Sequence, residues 1–150
     1  MTSTEITTSS PEATLAFGRQ LAARLRPPTL MYLHGALGSG KTTLVKGIIS
    51  GLGLADANEV RSPSFVFVHV FRNHRTVYHV DLYRIEEPSE TETLGLEDFL
   101  AEPTIVIVEW AEKLAASGLV PDWRIHLESL SETERHIRIE ETQPEKGNPL

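Results

Sequence analysis

The run Gly35-Ala36-Leu37-Gly38-Ser39-Gly40-Lys41-Thr42 matches the pattern G-x-x-x-x-G-K-[ST] in full. Each fixed place has a physical reason. Glycines let the backbone turn tightly and aim successive N–H groups, through Gly38, Ser39 and Gly40, into one anion nest. A helix that follows adds its positive N-terminal end. The Lys41 ammonium can reach the β- and γ-phosphates, the Thr42 hydroxyl can ligate Mg²⁺, and Thr43 is placed to touch the α-phosphate. The chemistry indicated is the binding of a nucleoside triphosphate together with Mg²⁺. The plain alternative is a glycine-rich turn that binds nothing. With glycine near ~7% of average composition, a chance match in a chain this long is on the order of one in a few hundred. Context weakens that alternative further, because an apolar strand pattern precedes the loop and a helix pattern follows it.

A second element is expected on a neighbouring strand. Ile105-Val106-Ile107-Val108-Glu109 is an apolar strand ending in a carboxylate, which would bring Glu109 to the Mg²⁺ or its water shell. Between the two lie Ser62-Pro63-Ser64-Phe65 and Tyr78-His79-Val80-Asp81-Leu82-Tyr83-Arg84. Hydroxyls and a carboxylate near a triphosphate suggest switch-like elements that sense the γ-phosphate. Asp81, at a strand end, could orient the attacking water or hold Mg²⁺ through water. Taken alone, each of these is an ordinary loop or strand-end residue. The six histidines are scattered without metal-ligand spacing, and core packing or exposure accounts for most of them. His79 stands out only as a neighbour of Asp81. Trp110 and Trp123 read as core rather than as stacking platforms.

These residues need elements to position them. A chain of 150 residues makes one compact domain the default, long enough for a core without metal or disulfide staples. There is no cysteine, which excludes disulfides, Cys-ligated zinc and a cysteine nucleophile. A net charge of −7 argues against broad non-specific grip on nucleic acid, which runs on Lys and Arg, so a partner would do most of any RNA holding. No secretory signal or membrane-length apolar run is present, and a cytoplasmic location is expected.

Along the chain, residues 1–10 read as a disordered tail, 11–140 as the folded domain and 141–150 as a second tail. Ser10, Pro11 and Glu12 signal a helix start, and Ala13, Phe17, Leu21 and Leu25 form its apolar stripe up to Pro27-Pro28. Leu30 to Leu33 is a buried strand, and Thr42 to Ser50 a helix with Leu44, Val45, Ile48 and Ile49 inside. Phe65–Phe71 with Thr76–Asp81, and Arg124–Leu127 with His136–Ile139, read as hairpins. The acidic stretch Glu86 to Glu102 holds a short helix. The fold expected is α/β, a single P-loop NTPase domain whose mixed, mostly parallel sheet is flanked by helices and extended by hairpins.

The glycine loop with Thr43-Leu44, then Arg61-Ser62-Pro63-Ser64-Phe65, then Tyr78-His79-Val80-Asp81-Leu82-Tyr83-Arg84, then Val108-Glu109-Trp110, resembles the TsaE (YjeE) family over roughly Pro11 to Ile139. The loop alone is shared by very many families; the His-x-Asp-Leu-Tyr-Arg block with the later Glu-Trp pair is far more specific. The resemblance implies a role in making threonylcarbamoyladenosine on tRNAs that read codons starting with A. It implies an ATPase working with two partners, TsaB and TsaD, that reaches tRNA only through that complex. TsaD transfers the group, and the ATPase serves turnover of the complex. It further implies that Lys41 handles phosphates, that Thr42 and Glu109 serve Mg²⁺, that Asp81 is essential for hydrolysis, and that Thr14 and Arg135 lie near the nucleoside. Two departures stand out: Ser64-Phe65 where the family usually has Thr and Tyr, and Val80 where it usually has Phe.

Two other classes compete. A P-loop small-molecule kinase needs an acceptor pocket and cationic lid residues, but Arg and Lys are sparse after Thr42 and the lid-like stretch is acidic. A GTP-dependent switch would carry an Asn-Lys-x-Asp motif, which does not occur, and Asp81 lacks a glycine two residues on.

Overall fold

The apolar runs Leu30–Leu33 and Ile105–Val108 form the centre of one sheet because they offer apolar side chains on both faces. The computed structural model describes residues 2–54, 68–87 and 95–142. Its strands are β1 (Thr2–Thr8), β2 (Thr29–His34), β3 (Val68–Arg72), β4 (Thr76–Asp81), β5 (Ile105–Glu109), β6 (Trp123–Ser129) and β7 (Arg135–Glu141). The helices are α1 (Pro11–Ala22), α2 (Lys41–Gly51) and α3 (Leu96–Leu100), with a 3₁₀ turn at Ala111–Leu114. The seven strands form a single mixed sheet in the order β1-β7-β6-β2-β5-β4-β3.

β2 lies parallel to both β5 and β6, and β4 parallel to β5. The three outer pairings, β1 with β7, β7 with β6 and β4 with β3, are antiparallel. The pairings are therefore evenly divided, not mostly parallel. Parallel pairing needs a crossover between strands, and only the central strands have one; β3–β4 and β6–β7 are hairpins, and β1 joins β7 from the other end of the chain.

Residues alternate across the sheet. Met31, Leu33, Val77, Ile105, Ile107, Ile125 and Ile137 pack against α1 and α2, while Leu30, Tyr32, Tyr78, Val80, Val106 and Val108 face α3 and the 3₁₀ turn. Trp123 belongs to the first of these cores, as expected. Ser10 caps α1, its side-chain oxygen accepting from the Ala13 N–H at 3.0 Å, with Pro11 at the first helical position. The α1 stripe packs on α2 at a glycine crossing. A Cβ on Gly18 would stand 2.6 Å from the Leu44 carbonyl oxygen and 2.9 Å from the Gly47 Cα, so the helices approach backbone to backbone.

Residues 2–10 are not a tail. Thr2–Thr8 add an edge strand to β7, placing Thr8 opposite Arg135 and Ile6 opposite Ile137. Four threonines and Ile6 give this polar segment strand propensity that its composition concealed. The buried Thr8 and Thr14 hydroxyls, 2.7 Å apart, tie it to α1. At the other end β7 runs to Glu141, and residues 143–150 lie outside the described residues. So does the switch-like Arg61 to Phe65, within 55–67, and so does Leu94, within 88–94. Of the helix expected in Glu86 to Glu102, the described part is α3, with Leu96 buried. Among the described residues no helix is long and apolar enough to cross a membrane.

Candidate functional site

The parallel strands β2, β4 and β5 all end at the same edge, and the glycine loop runs from β2 into α2 across it. Such an edge is where open α/β sheets bind ligands. The N-cap of α2 is Gly40, at φ 101°, a left-handed conformation that an L side chain adopts only under strain. Gly40 brings no capping side chain, so the first-turn N–H groups of Lys41, Thr42 and Thr43 have no side-chain acceptor at the cap. With the helix dipole behind them, these amides could hold an anion.

A pocket of about 440 Å³ opens over the loop. It brings together Gly38, Ser39, Gly40, Lys41, Thr42, Thr43, Asp81, Glu109 and Arg135, residues selected from the sequence at widely separated positions. Tyr83, Arg84 and Trp110 complete the wall. Thr14 stands behind the loop, in a smaller hollow it shares with Gly40, Thr43 and Arg135. It is 1% exposed and hydrogen-bonded to Thr8, whereas Arg135 donates to the Ser131 carbonyl at 2.8 Å and reaches the Gly38 carbonyl at 3.4 Å.

Lys41 is 5% exposed, folded into the loop. Its Nζ donates to the carbonyl oxygens of Gly35 and Ala36 and sits 4.0 Å above the Trp110 ring. Burial draws the Lys41 ammonium below the ordinary lysine range, and the carboxylates of Glu109, Glu112 and Asp81 pull it back up. Trp110 is partly buried and holds φ 61°, the one non-glycine positive φ among the described residues. It is therefore a platform under the lysine as well as a packing residue; the expectation that it is simply core missed the first of these.

Thr42 and Glu109 face each other, with the Thr42 hydroxyl 3.4 Å from Glu109 Oε1. Both are hard oxygen donors of the kind Mg²⁺ prefers, and Glu109 is 2% exposed. Among the described residues no group of three or more His, Cys, Asp or Glu side chains could hold a metal. Asp81 is 7% exposed, and its Oδ1 accepts from the Tyr83 N–H at 2.9 Å, which shapes the turn leaving β4. Lys113 Nζ secures that turn from the 3₁₀ side, donating to the carbonyls of Tyr83 at 2.6 Å and Ile85 at 2.7 Å.

The sequence reading missed one polar partner. His79 lies behind Glu109, its Nε2 2.5 Å from Glu109 Oε2. Period-two alternation alone puts His79 and Asp81 on one face of β4, and that signal was available. The other histidines are dispersed, though His34 stacks on His126 with centroids 4.9 Å apart.

The family model described as "Threonylcarbamoyl adenosine biosynthesis protein TsaE" matches residues 8–138, nearly the whole described fold. The chain belongs to the TsaE family. It is 35% identical to a tRNA threonylcarbamoyladenosine biosynthesis protein TsaE of Haemophilus influenzae, covering 72% of this chain and 70% of the relative. The TsaE of Bacillus subtilis is 34% identical over 87% of this chain and 80% of its own length. The crystal structure of Bacillus subtilis YdiB superposes with a TM-score of 0.70 at 27% identity, covering 92% of this chain and 84% of that one. In this TsaE-family chain the matched span runs from Thr8, the last residue of β1, to Arg138 within β7, and so takes in every residue lining the pocket.

Proposed function

We propose that this chain is the Mg²⁺-dependent ATP-hydrolysing subunit of threonylcarbamoyladenosine formation on tRNAs reading ANN codons, acting with TsaB and TsaD. Membership of the TsaE family supports the tRNA-modification role. One observation carries the enzymatic part: a glycine loop, a buried ammonium and the facing Thr42–Glu109 oxygen pair converge in one pocket. On this reading the fold is a P-loop NTPase. The amides and cations lining the pocket support the triphosphate reading. A cytoplasmic location and tRNA contact through the partner complex go with it.

The loop amides and α2 would hold the phosphates, and Lys41 would leave its carbonyls and Trp110 to neutralise the β- and γ-oxygens. Thr42 and Glu109 would hold Mg²⁺, which when bound neutralises charge developing on the phosphate oxygens. Asp81, held at the strand end by its bond to the Tyr83 amide, would orient the attacking water. Thr14 and Arg135 flank the loop on the side proposed for the nucleoside.

The test is phosphate release from ATP with Mg²⁺, with no acceptor, with and without TsaB and TsaD, beside a pull-down of both partners by the tagged chain. Release that rises with the partners, together with their capture, is the expected result. Partner-independent labelling of a small metabolite, or a strong preference for GTP in competition binding, would overturn the proposal.

A further inference from the structure

The alternation that aims Asp81 and Glu109 at the loop also places a polar side chain behind them. Val77 on β4 and Ile105 and Ile107 on β5 pack toward α2, and period two adds His79, Asp81 and Glu109 to that face. In the parallel register Asp81 lies opposite Glu109 and His79 opposite Ile107, so His79 is diagonal to Glu109. The His79 ring is fully buried, at 0% exposure, with Nε2 2.5 Å from Glu109 Oε2. A carboxylate only accepts, so Nε2 carries the hydrogen and donates. Nδ1 is buried and has no partner among the described residues. Glu109 is thus held at Oε2 by His79 while Oε1 faces the Thr42 hydroxyl at 3.4 Å.

We infer that His79 is the positioning residue that locks the Glu109 carboxylate, so that Oε1 is the oxygen offered to the Mg²⁺ shared with Thr42. The inference rests on the Mg²⁺–nucleotide reading given above. Its physics is geometric. Mg²⁺ demands near-ideal octahedral coordination at short distances and tolerates little wandering of a ligand. The terminal torsion of a glutamate is broad, so a carboxylate without a partner swings between its two oxygens. A donor buried beyond the reach of water removes that freedom at Oε2 and leaves Oε1 aimed. Loss of such outer partners typically changes metal affinity or activity by about 10–100-fold. A buried pair with a merely structural role would cost stability when broken but leave the magnesium requirement where it was.

The deciding experiment is equilibrium binding of a non-hydrolysable ATP analogue to the full chain, across a Mg²⁺ series and in EDTA. For His79→Leu the Mg²⁺ concentration at half-effect rises about 10- to 100-fold, while binding in EDTA stays at the wild-type level. His79→Gln, whose amide donates from near the Nε2 position, restores most of the loss. In a Glu109→Gln background His79→Leu adds no further shift. An unchanged magnesium requirement in His79→Leu, or an equal loss with and without Mg²⁺, overturns the role. If His79→Leu does not fold, His79→Asn and His79→Gln are compared. The shorter amide cannot reach Glu109 and should need more Mg²⁺, and identical curves overturn the inference. Failure of the wild-type chain to bind the analogue with Mg²⁺ would instead sink the nucleotide reading itself, so the two failures are distinguishable.

Discussion

On the proposed nucleotide reading, replacing Lys41 with alanine separates the grip on the triphosphate from everything else in the pocket. The ammonium is held by the Gly35 and Ala36 carbonyls and by the Trp110 face. Two charge-assisted bonds to phosphate oxygens are worth about 3–6 kcal/mol at roughly 1.5–3 each. Against this stand the contacts that wild-type Lys41 must leave and the variant never had: about 0.5–1 kcal/mol for the ring, and two carbonyl bonds that are charge-assisted on the donor side, about 1.5 kcal/mol each at the low end of the same range. With the phosphate bonds at the upper end of theirs, since both partners are then charged, the net loss is about 2 kcal/mol, or roughly 30-fold in affinity. Isothermal titration of Mg²⁺ATP into each protein measures it. The same titration carries a proton signature. Burial lowers the Lys41 pKa from 10.5 in the free protein, and a bound triphosphate raises it again. In the alkaline range below the ordinary lysine value, binding should therefore take up protons, and affinity should fall as pH rises through the free-state value. For folding, the depressed pKa means that the unfolded chain binds more protons in that window. Lys41 accordingly costs stability below it, and that cost is relieved as pH rises through it. Titrations in two buffers of different ionisation enthalpy read the uptake. If Lys41→Ala binds as wild type does, or shows the same proton uptake, the assignment of this ammonium to the phosphates is wrong.

Two further substitutions probe the site and its support. Asp81→Asn keeps an oxygen to accept from the Tyr83 amide, so binding and melting temperature should hold while steady-state phosphate release falls about 10²–10⁴-fold; normal turnover would remove Asp81 from the mechanism. Gly18→Ala drives a methyl to 2.6 Å from the Leu44 carbonyl oxygen and 2.9 Å from the Gly47 Cα, neither of which can yield cheaply. Overpacking of about 1–3 kcal/mol should lower the melting temperature by roughly 2–12 °C in calorimetry, and an unchanged melting point would show that the helices separate freely.

Much of the site was legible in the chain because its signals are local. The glycine loop declares itself by residue type at fixed spacing, and the φ of 101° at Gly40 is the conformation that spacing serves. Ile105-Val106-Ile107-Val108 reads as a two-sided buried strand, which it is, paired on both edges by β2 and β4. Glu109 and Asp81 could be placed at strand ends by counting, and register then sets them side by side. β1 was misread because threonine-rich polarity resembles a tail until β7 offers it an edge.

What the sequence alone determined is the list of candidate groups, the glycine loop with Lys41 and Thr42 and the strand-end carboxylates Asp81 and Glu109, since backbone freedom and period-two alternation act over a few residues. Only the tertiary structure decided who touches whom. The bond from His79 to Glu109 spans 30 positions and exists because β4 and β5 pair in one parallel register. The lysine lies on Trp110 because the chain turns sharply, at positive φ, directly after β5. Contacts of that kind follow from strand order and register, and side chains distant in sequence meet only once the whole sheet has formed.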